Sequence, residues 1–520
     1  MSPRPPPTAL ASPSRALLSL VHVLEWRAAV HPDAIALSDH EGAQLSYGAL
    51  AAAVERSAGQ LAAAGVAPGD VVPVIARNRV GWVTAVLGLI RAGALPAAVN
   101  WRLAVPEVTA LLQLAGAAAV VADDECAGLA RQAAAALDQR VPVLPVPGQA
   151  GAMPPERPVN RLQPAAPAIL VHTSGTTGRP KLVPLTHQQL IAAAVFMKLE
   201  VPEAVPGARH LSALPLFHVA GLANLSYVLF TGGQLHLLGG FDPAGFVDEL
   251  VSRRIQLTQL VPTLIQAVTR EVSARAERPD LSQLTEIVYG ASPIRPDLLE
   301  QAVAVLGCRF RQNYASSETG PLPISSLPPQ DHDPARGRLA TAGRPSLGWE
   351  VRLGDRGEIQ VRGAAPLPGY WNDPAATGQA LTADGFWRTG DAGTLDADGY
   401  LTIIDRLKDI VITGGENVFP AEVEAVLARH PAVADVAVIG IPDDRWGETV
   451  HAVVVLAQAN GDAAEFDVAG LVSWARERLA GFKCPTGVTV MAELPRNATG
   501  KVLRAALRQP FWAGRDRQVS

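Results

Sequence analysis

The sequence predicts an α/β fold in which a large N-terminal domain, made of layered α/β subdomains plus a β-rich subdomain, precedes a small C-terminal α/β domain. Three observations support this prediction. Helical and strand patterns alternate over about 47–145, 208–260 and 281–314. Short segments rich in Gly, Asp and turn pairs follow position 340. The 520 residues also exceed one ordinary core, so at least two domains are expected.

The alternating segments indicate parallel sheets covered by helices. The stretch YGALAAAVERSAGQLAAAG predicts an amphipathic helix that Gly65 stops, GDVVPVIA predicts a strand, and VGWVTAVLGLIRAG predicts a second helix. Farther along, HLSALPLF and GGQLHLL predict strands around a helix that begins near 219. The segments TEIVYGAS, PDLLEQAVAVLG and RFRQNYA predict a strand, a helix and a strand. Strands that alternate with helices are typical of parallel α/β layers.

The last third of the chain has a different pattern. LGDRGEIQVRG, LTADGFWRTGD and LDADGYLTIIDR predict β-hairpins, because turn pairs separate short strands. Beyond Asp405, helices at PAEVEAVLARHP and AGLVSWARERLAG enclose strands at VADVAVIGI and VHAVVVL. This unit has the size of a small domain. We therefore predict an N-terminal domain over 1–405 and a C-terminal domain over 406–520.

Composition limits the classes of function. The net charge of −5 and the pI near 6.1 give no basic footprint for nucleic acid, so any anion site has to be local. Cys126, Cys308 and Cys484 are widely spaced and odd in number. That argues against a disulfide framework and favours a reducing, cytoplasmic location. The sequence leaves a monomer and a homodimer both open.

The first 24 residues resemble a targeting segment in part. They carry two arginines and the short apolar run ALLSLVHVL, with no acidic residue. The favoured interpretation is a disordered, proline-rich start that leads into the first helix. No uncharged apolar stretch reaches the ~18 residues that a membrane span needs, so none is expected.

The stretch HTSGTTGRPK, residues 172–181, has a composition suited to binding an anion. It does not lead directly into a helix, as a Walker A loop does, because Pro184 keeps the preceding residue extended. The next helix is predicted to begin at Thr186, which forms a capping box with Gln189. The order is therefore strand, loop, strand, helix. Such a loop can form a nest of backbone N–H groups around phosphate, although an ordinary polar loop is the alternative.

HTSGTTGRPK resembles the phosphate loop of the adenylate-forming superfamily, and further motifs of that superfamily follow in order over nearly the whole chain. They are LPLFH (214–218), YGASP (289–293), NYASSETG (313–320), WRTGD (387–391), DRLKDIVITGGENVFPAEVE (405–424) and PRNATGK (495–501). The chain is thus identified as resembling the AMP-forming acyl-CoA synthetases. The resemblance implies ATP, Mg²⁺ and coenzyme A. A carboxylate attacks the α-phosphate of ATP to give acyl-AMP and pyrophosphate, and a thiol then displaces AMP.

The resemblance implies three catalytic residues. Lys501 is a compact cation on a flexible stem, suited to bridging two anions that repel each other. Glu318 offers a carboxylate ligand for Mg²⁺, with Thr173 as a second predicted metal ligand. His218 resembles a gate between the acyl pocket and the thiol tunnel, with a buried core histidine as the alternative.

The resemblance also implies a set of nucleotide- and cofactor-binding residues. Asp391 is predicted to accept hydrogen bonds from ribose hydroxyls, Arg406 to donate to the ribose or phosphate side, and Tyr314 to stack on adenine. Lys408 lies at the implied hinge of a mobile C-terminal domain, and Gly414 and Gly415 at the pantetheine tunnel. The other members are Thr173, Ser174, Gly175, Thr176, Thr177, Gly178, Lys181, Gly290, Ala291, Ser292 and Ser317.

The chain departs from the superfamily pattern at three positions. Ala315 replaces a glycine, Ser317 replaces a threonine and keeps the hydroxyl, and Leu182 follows the loop lysine in place of glycine. Because Leu182 is predicted to open a strand, we expect the loop to tolerate it.

The predicted acyl pocket comprises 218–224, 289–292 and the Ala315–Ser316 pair, which offer small apolar surfaces without a cation. A second carboxylate on the substrate would need a partner, so the prediction is a monocarboxylate with an uncharged, hydrophobic acyl or aryl group. Chain length and ring content stay open.

Two other functions are compatible with the motifs. An enzyme with the same first half-reaction can load a carrier protein or stop at the adenylate. GGENVFPAEVE and LAGFKCP resemble free-standing CoA ligases more closely, which favours coenzyme A. A silent nucleotide-binding protein is the third possibility. Lys501, Glu318 and Asp391 argue against it, because a binder needs no transition-state groups.

Overall fold

A computed structural model of the chain describes residues 19–148, 163–173, 180–363, 367–457, 466–497 and 500–513. The α-helices, numbered in chain order, are α1 Leu20–Val30, α2 Tyr47–Ala63, α3 Val80–Ala92, α4 Val105–Ala115, α5 Ala127–Ala135, α6 His187–Glu200, α7 Val219–Thr231, α8 Pro243–Ser252, α9 Pro262–Ala274, α10 Pro296–Leu306, α11 Pro374–Ala380, α12 Pro420–Leu427, α13 Val468–Arg476 and α14 Arg504–Arg508. Short 3-10 helices cover Pro329–His332, Pro334–Arg336, Asp355–Gly357, Leu407–Asp409 and Gly481–Lys483.

The strands follow the same numbering. They are β1 Ile35–Asp39, β2 Gln44–Ser46, β3 Val71–Ile75, β4 Leu95–Ala98, β5 Val120–Ala122, β6 Val143–Pro145, β7 Pro167–Thr173, β8 Lys181–Thr186, β9 Arg209–Ser212, β10 Gln234–Leu237, β11 Leu257–Leu260, β12 Glu286–Gly290, β13 Arg309–Tyr314, β14 Ser325–Leu327, β15 Arg344–Pro345, β16 Trp349–Leu353, β17 Glu358–Gly363, β18 Trp387–Leu395, β19 Leu401–Arg406, β20 Val411–Thr413, β21 Glu416–Val418, β22 Val433–Asp443, β23 Gly447–Leu456 and β24 Gly487–Val490.

Local sequence signals set the helix ends. Thr186 caps α6, because its hydroxyl accepts from the backbone N–H of Gln189 while the Gln189 side chain accepts from the backbone N–H of Thr186. The predicted capping box is therefore confirmed. Ser46 caps α2 through its hydroxyl, which accepts from the backbone N–H of Ala49. The predicted helix over 47–65 ends at Ala63, two residues before Gly65.

Two sheets form the layered part of the N-terminal domain. One has the order β15-β14-β13-β12-β11-β9-β10-β1-β2, and the other has the order β6-β5-β3-β4-β7-β8. Pairing within them is parallel except at β2, β8, β14 and β15. One apolar core contains Leu37 and Leu235 of the first sheet, Val72 and Leu185 of the second, and residues of α2, α3 and α7. The predicted parallel α/β layering is confirmed.

The β-rich subdomain is a four-stranded antiparallel sheet in the order β16-β17-β18-β19, as the turn pairs predicted. Its core contains Ile359, Val361, Trp387 and Leu401, and Tyr314 of the neighbouring sheet belongs to the same cluster. The end of β13 is thereby fixed against β18 and β19.

The C-terminal unit has an apolar core of its own. Strands β21-β20-β23-β22 form its sheet, and β24 pairs with β23. Val411, Val423, Leu427 and Val438 are buried with Leu471 of α13. A separate core is expected of a domain. The boundary between 405 and 406 and the hinge near Lys408 stay predictions. Within the described ranges, no helix has the length and apolar character needed to cross a membrane.

Candidate active site

Strand ends from two sheets meet at the candidate site. Parallel strands β12 and β13 are in register, with Gly290 opposite Asn313, so both end at the same edge of the large sheet. Asp391 on β18 lies opposite Arg406 at the end of β19. The sequence therefore delivers an acidic, a basic and an aromatic side chain to one place from segments far apart in the chain.

Asp391 is the centre of a buried hydrogen-bond network. The Tyr314 hydroxyl donates to its Oδ2 at 2.6 Å, and Arg406 Nε lies 2.9 Å from its Oδ1. Burial, and then the Asp391 carboxylate, raise the pKa of the Tyr314 hydroxyl well above its usual value. Asp391 also raises the pKa of Arg406. Each carboxylate oxygen keeps lone-pair capacity for a further donor, as ribose recognition requires.

Lys501 lies beside this network and completes a group that we call the charged cluster, namely Tyr314, Asp391, Arg406 and Lys501. Burial, and then Arg406, lower the pKa of Lys501 to about 8, while Asp391 opposes the shift. A cation held in such a position is stabilised when an anion arrives. The predicted adenylation lysine is thus close to the predicted ribose carboxylate.

Gly500, the residue before Lys501, lies against the N-terminal domain. A Cβ at position 500 would lie 2.7 Å from Oγ1 of Thr263 on α9, so Gly500 permits a close approach that a larger residue would hinder. The backbone N–H of Lys501 donates to Oδ1 of Asn497 at 2.9 Å. These contacts fix where the lysine stem begins. The sequence did not single out Thr263, because nothing local marks it as a partner for a loop more than 230 positions away.

Glu318 belongs to a second group near the charged cluster. The Tyr370 hydroxyl donates to Glu318 Oε1 at 3.3 Å, and Lys181 Nζ lies 4.2 Å from the centre of the Tyr370 ring. Glu318 also contributes to the raised pKa of Arg406. Tyr370 thus connects the predicted metal ligand to the predicted phosphate lysine. Sequence reasoning missed Tyr370, since it lies in no motif that was recognised.

Part of the predicted phosphate site lies outside the described residues. The structure does not describe Ser174, Gly175, Thr176, Thr177 and Gly178, so the backbone nest around phosphate stays a prediction. The two ends of the segment are described. Thr173 closes β7 opposite Lys181, which opens β8.

The segment after Arg406 joins the two domains by ion pairs. Arg406 is bound to Asp391 of the N-terminal domain, whereas Asp409, three residues on, lies 2.9 Å from Arg508 Nη1 of the C-terminal domain. Burial lowers the pKa of Lys408, which lies between them in the 3-10 helix. A short segment held by one domain on each side fits a hinge, although the hinge role stays a prediction.

Gly414 and Gly415 form the turn between β20 and β21, and both have positive φ angles, +59° and +88°. A Cβ at position 414 would lie 2.7 Å from the Trp446 ring. Gly414 therefore lies beside an indole that is 48% exposed, on the C-terminal domain, whereas a Cβ at position 415 would meet no atom within 4 Å. Their contribution to a thiol tunnel stays a prediction.

A cavity extends inward from the strand edge, between α7 and strands β9, β11, β12 and β13. Gly290 has to be glycine, because a Cβ there would lie 2.2 Å from the Asn313 carbonyl oxygen. The next residue, Ala291, has φ +70°, a strained conformation for a residue with a side chain. Both line the cavity, whereas Ser292 and Ser317 lie nearby in the turns that follow β12 and β13.

His218 lines the same cavity and caps the N-terminus of α7, with its Nδ1 accepting from the Ala220 N–H at 3.3 Å. Burial lowers its pKa to about 4, so the imidazole is neutral near pH 7. It is therefore suited to shaping the cavity mouth and not to supplying charge. Its predicted gating role is not tested by this geometry.

The structure brings together the three segments that the sequence assigned to the acyl pocket, through Val219, Asn224, Gly290 and Ala315. Among the further lining residues that the sequence did not single out are His210 and Tyr227. The available signal was the histidine at the start of the predicted strand HLSALPLF.

Two family models match the chain. One, described as AMP-binding enzyme, covers residues 24–371, and one, described as AMP-binding enzyme C-terminal domain, covers residues 422–501. The chain is 37% identical over 499 residues to a feruloyl-CoA synthase from an Amycolatopsis species, covering 93% of this chain and 97% of that protein. It is 34% identical over 496 residues to the fatty acid acyl-carrier-protein ligase ScoC of Streptomyces coeruleorubidus, covering 92% and 94%.

Solved structures of adenylate-forming enzymes also resemble this chain. The fold matches o-succinylbenzoate CoA synthetase (MenE) of Bacillus subtilis in complex with its acyl-adenylate intermediate, with a TM-score of 0.82 and 30% identity over 93% of this chain and 97% of that one. The same enzyme with ATP and a magnesium ion matches with a TM-score of 0.81 and 30% identity, covering 93% and 98%.

Proposed function

The chain belongs to the AMP-binding enzyme family as an AMP-forming acyl-CoA synthetase, and we propose that it activates a monocarboxylic acid with an uncharged, largely hydrophobic acyl or aryl group. ATP, Mg²⁺ and coenzyme A are the other participants, and acyl-AMP is the intermediate. The observation that carries the proposal is that Lys501 lies close to Arg406 and Asp391. Asp391 is bonded to Tyr314, which lies between two residues that line the cavity, Asn313 and Ala315.

The first half-reaction joins two anions, and the charged cluster supplies the compensating charge. The substrate carboxylate attacks the α-phosphorus of ATP while the bond to pyrophosphate breaks. Lys501 stabilises both the incoming carboxylate and the α-phosphate oxygens, as a preorganised cation does in a site with little water. Asp391, oriented by Tyr314 and Arg406, accepts from the ribose hydroxyls and so fixes the nucleotide.

Mg²⁺ fits this site through a single protein carboxylate. Among the described residues, no group of three or more His, Cys, Asp or Glu side chains is arranged to hold a metal. Mg²⁺ commonly binds through one or two carboxylates together with substrate phosphates, so Glu318, with Thr173, is suited to hold it. When bound, the ion neutralises negative charge on the departing pyrophosphate.

The second half-reaction needs a different face of the small domain. The thiol attacks the acyl carbonyl and AMP leaves, so the lysine has to give way to a channel for pantetheine. Rotation about the segment 406–409 would withdraw Lys501 and bring up Gly414 and Gly415. At one end of this segment Arg406 pairs with Asp391 of the N-terminal domain, and at the other end Asp409 pairs with Arg508 of the C-terminal domain. This arrangement supports a hinge role for the segment.

A screen of the purified chain tests the proposal. Carboxylic acids are first assayed for ATP–pyrophosphate exchange, which reports the first half-reaction alone. Thioester formation is then measured with coenzyme A, with an acyl carrier protein, and with neither thiol. We expect exchange with hydrophobic monocarboxylates and thioester formation that depends on coenzyme A. Exchange without any thioester would reject the ligase function, and transfer to the carrier protein alone would assign the acceptor that ScoC is named for.

A further inference from the structure

The inner end of the acyl cavity contains polar atoms that have no partner. His210 Nε2, Asn224 Nδ2 and the Tyr227 hydroxyl are buried and, among the described residues, make no hydrogen bond. All three residues line the cavity. We call them the inner polar cluster. A buried polar group without a partner is unfavourable by roughly 1–3 kcal/mol, so three in one cavity require an explanation.

The helix defines the direction of the cavity. His218 caps the N-terminus of α7 and lies at the mouth, whereas Tyr227 is nine positions farther along the same helix. At 1.5 Å per residue this is about 13 Å. Asn224 lies between them, one turn before Tyr227.

The sheet gives the same direction and the same length. His210 on β9 is in register with Leu257 on β11, which is in register with Glu286 on β12. Gly290, at the mouth, is four residues beyond Glu286, or roughly 13 Å at 3.3 Å per residue. His210 therefore lies at the closed end, where its ring contacts that of Tyr227 edge to face, with centroids 5.5 Å apart.

The inner polar cluster is uncharged. Burial lowers the pKa of His210 to about 3 and raises that of Tyr227, so both side chains are neutral near pH 7. Arg311, the guanidinium whose charge acts on the Tyr227 hydroxyl, is already bound by Glu286 at 2.9 Å and by Glu200 at 2.8 Å. A carboxylate at the closed end would therefore find no available cation among the described residues that line it.

From this geometry we infer that the inner polar cluster binds a neutral oxygen-bearing group, preferably a hydroxyl, at the distal end of the substrate acid. A hydroxyl both donates and accepts hydrogen bonds. It can accept from the Asn224 amide N–H and from the Tyr227 hydroxyl, and it can donate to the His210 ring nitrogen. The inference rests on the proposed function and refines it, because an acyl group without a polar end would leave these atoms unpaired.

The depth of the cavity restricts the length of the acid. Subtracting a contact distance of about 3 Å at each end of the roughly 13 Å span leaves on the order of 7 Å between the carboxyl carbon and the distal oxygen. An aryl-propenoic acid with a para-hydroxyl and a six-carbon ω-hydroxy acid both match this spacing.

Direct binding of acids tests the inference without requiring turnover. The full chain is titrated calorimetrically with two matched pairs: 4-hydroxycinnamate against cinnamate, and 6-hydroxyhexanoate against hexanoate. We expect the hydroxylated acid of at least one pair to bind about fivefold or more tightly, because a site that hydrogen-bonds a substrate hydroxyl discriminates against the analogue without it. A preference for the unsubstituted acid, or equal affinity, in both pairs would overturn the inference and leave bound water as the partner of these atoms.

Two variants and one matched control locate the effect. Tyr227→Phe removes an unpaired hydroxyl, and Asn224→Leu removes an unpaired amide at similar volume, so each should bring the affinity ratio toward one. Tyr47→Phe removes a buried hydroxyl that already donates to the Gly233 carbonyl oxygen at 2.7 Å, and Tyr47 does not line the cavity, so the ratio should persist. Equal changes of the ratio in Tyr227→Phe and Tyr47→Phe would contradict the assignment.

ATP–pyrophosphate exchange with the same acids separates the two claims. If exchange is absent while the hydroxylated acid still binds more tightly, the proposed function fails and the inner polar cluster stands. If exchange occurs equally with both members of each pair, with equal affinities, the proposed function stands and the distal hydroxyl is rejected.

Discussion

The two ends of the cleft differ in how their polar groups are satisfied. In the charged cluster, the Asp391 carboxylate is bonded to both Tyr314 and Arg406 before any substrate binds. At the closed end of the acyl cavity, polar atoms of His210 and Tyr227 have no partner among the described residues. The Asp391 carboxylate thus has partners within the protein, whereas the inner polar cluster, in our inference, obtains its partner from the substrate.

This difference reflects the two tasks. Every turnover handles the same nucleotide, so its groups can be fixed in advance, and preorganised charge needs no rearrangement during reaction. The acid is the variable part, and selection against wrong acids is stronger where they leave buried polar groups unpaired. Buried polar groups without a hydrogen-bond partner in the protein are expected mainly at such functional positions.

The largest expected effect comes from removing the cation of the charged cluster. Lys501→Ala should lower the rate of adenylation by roughly 10²–10³, equivalent to ~3–4 kcal/mol of barrier, as loss of a preorganised electrostatic group does. Thiol transfer from supplied acyl-AMP should be nearly unaffected. The two half-reactions are measured separately, by pyrophosphate exchange and by thioester formation.

A surface cation on the same domain provides the control for this variant. Arg478 Nη1 pairs with Glu477 at 2.8 Å on the surface, an interaction worth little. Arg478→Ala should therefore leave both half-reactions unchanged. If Lys501→Ala impaired both half-reactions equally, the lysine would not act in only one of two domain arrangements.

Removing the predicted metal ligand should have the next largest effect. Glu318→Gln keeps the shape and the Tyr370 contact but removes the negative charge, so the requirement for Mg²⁺ should rise by about tenfold or more. Adenylation rates are measured over a Mg²⁺ titration at fixed ATP. Glu350→Gln, on the surface of β16, serves as the control. An unchanged Mg²⁺ dependence would remove Glu318 from the metal site.

The fold was largely predictable because its signals are local. The capping box at Thr186 and Gln189, and the hairpins after 340, can be read within a few residues, and both are confirmed. Strand order was not predictable. Nothing in β9 states that it lies between β10 and β11, because that order depends on packing between segments far apart in the chain.

The candidate site shows the same division between local and distant signals. Asp391, Arg406 and Lys501 lie in contiguous motifs, so a resemblance could point to them, although their roles stay predictions. Tyr370 and Tyr227 lie in no such motif. A tyrosine at helical spacing in an apolar segment is usually a core residue, and only the three-dimensional arrangement distinguishes it.

The hydroxyl of Tyr314 allows a direct test of preorganisation. Tyr314→Phe removes a hydrogen bond to a buried carboxylate, so KM for ATP should rise about tenfold, since bonds to charged groups contribute roughly 1.5–3 kcal/mol. Tyr400→Phe is the matched control, because the Tyr400 hydroxyl donates to Asp331 at 2.8 Å within the same domain. It should lower thermal stability and leave KM for ATP unchanged. Equal KM values in both variants would mean that Asp391 does not depend on Tyr314.

The smallest effect separates the two ends of the cleft by pH. Lys501 has a pKa of about 8, whereas His218 at the cavity mouth has one of about 4. The cationic form of Lys501 prevails below its pKa and is lost as pH rises through it, so kcat/KM for adenylation should fall about fourfold between pH 7 and 8.5. His218 stays neutral over that pH range, so its titration does not contribute to the fall in kcat/KM. In Lys501→Arg the guanidinium stays charged, so whatever activity persists should lose this dependence. An unchanged fall in Lys501→Arg would assign the titration to another group.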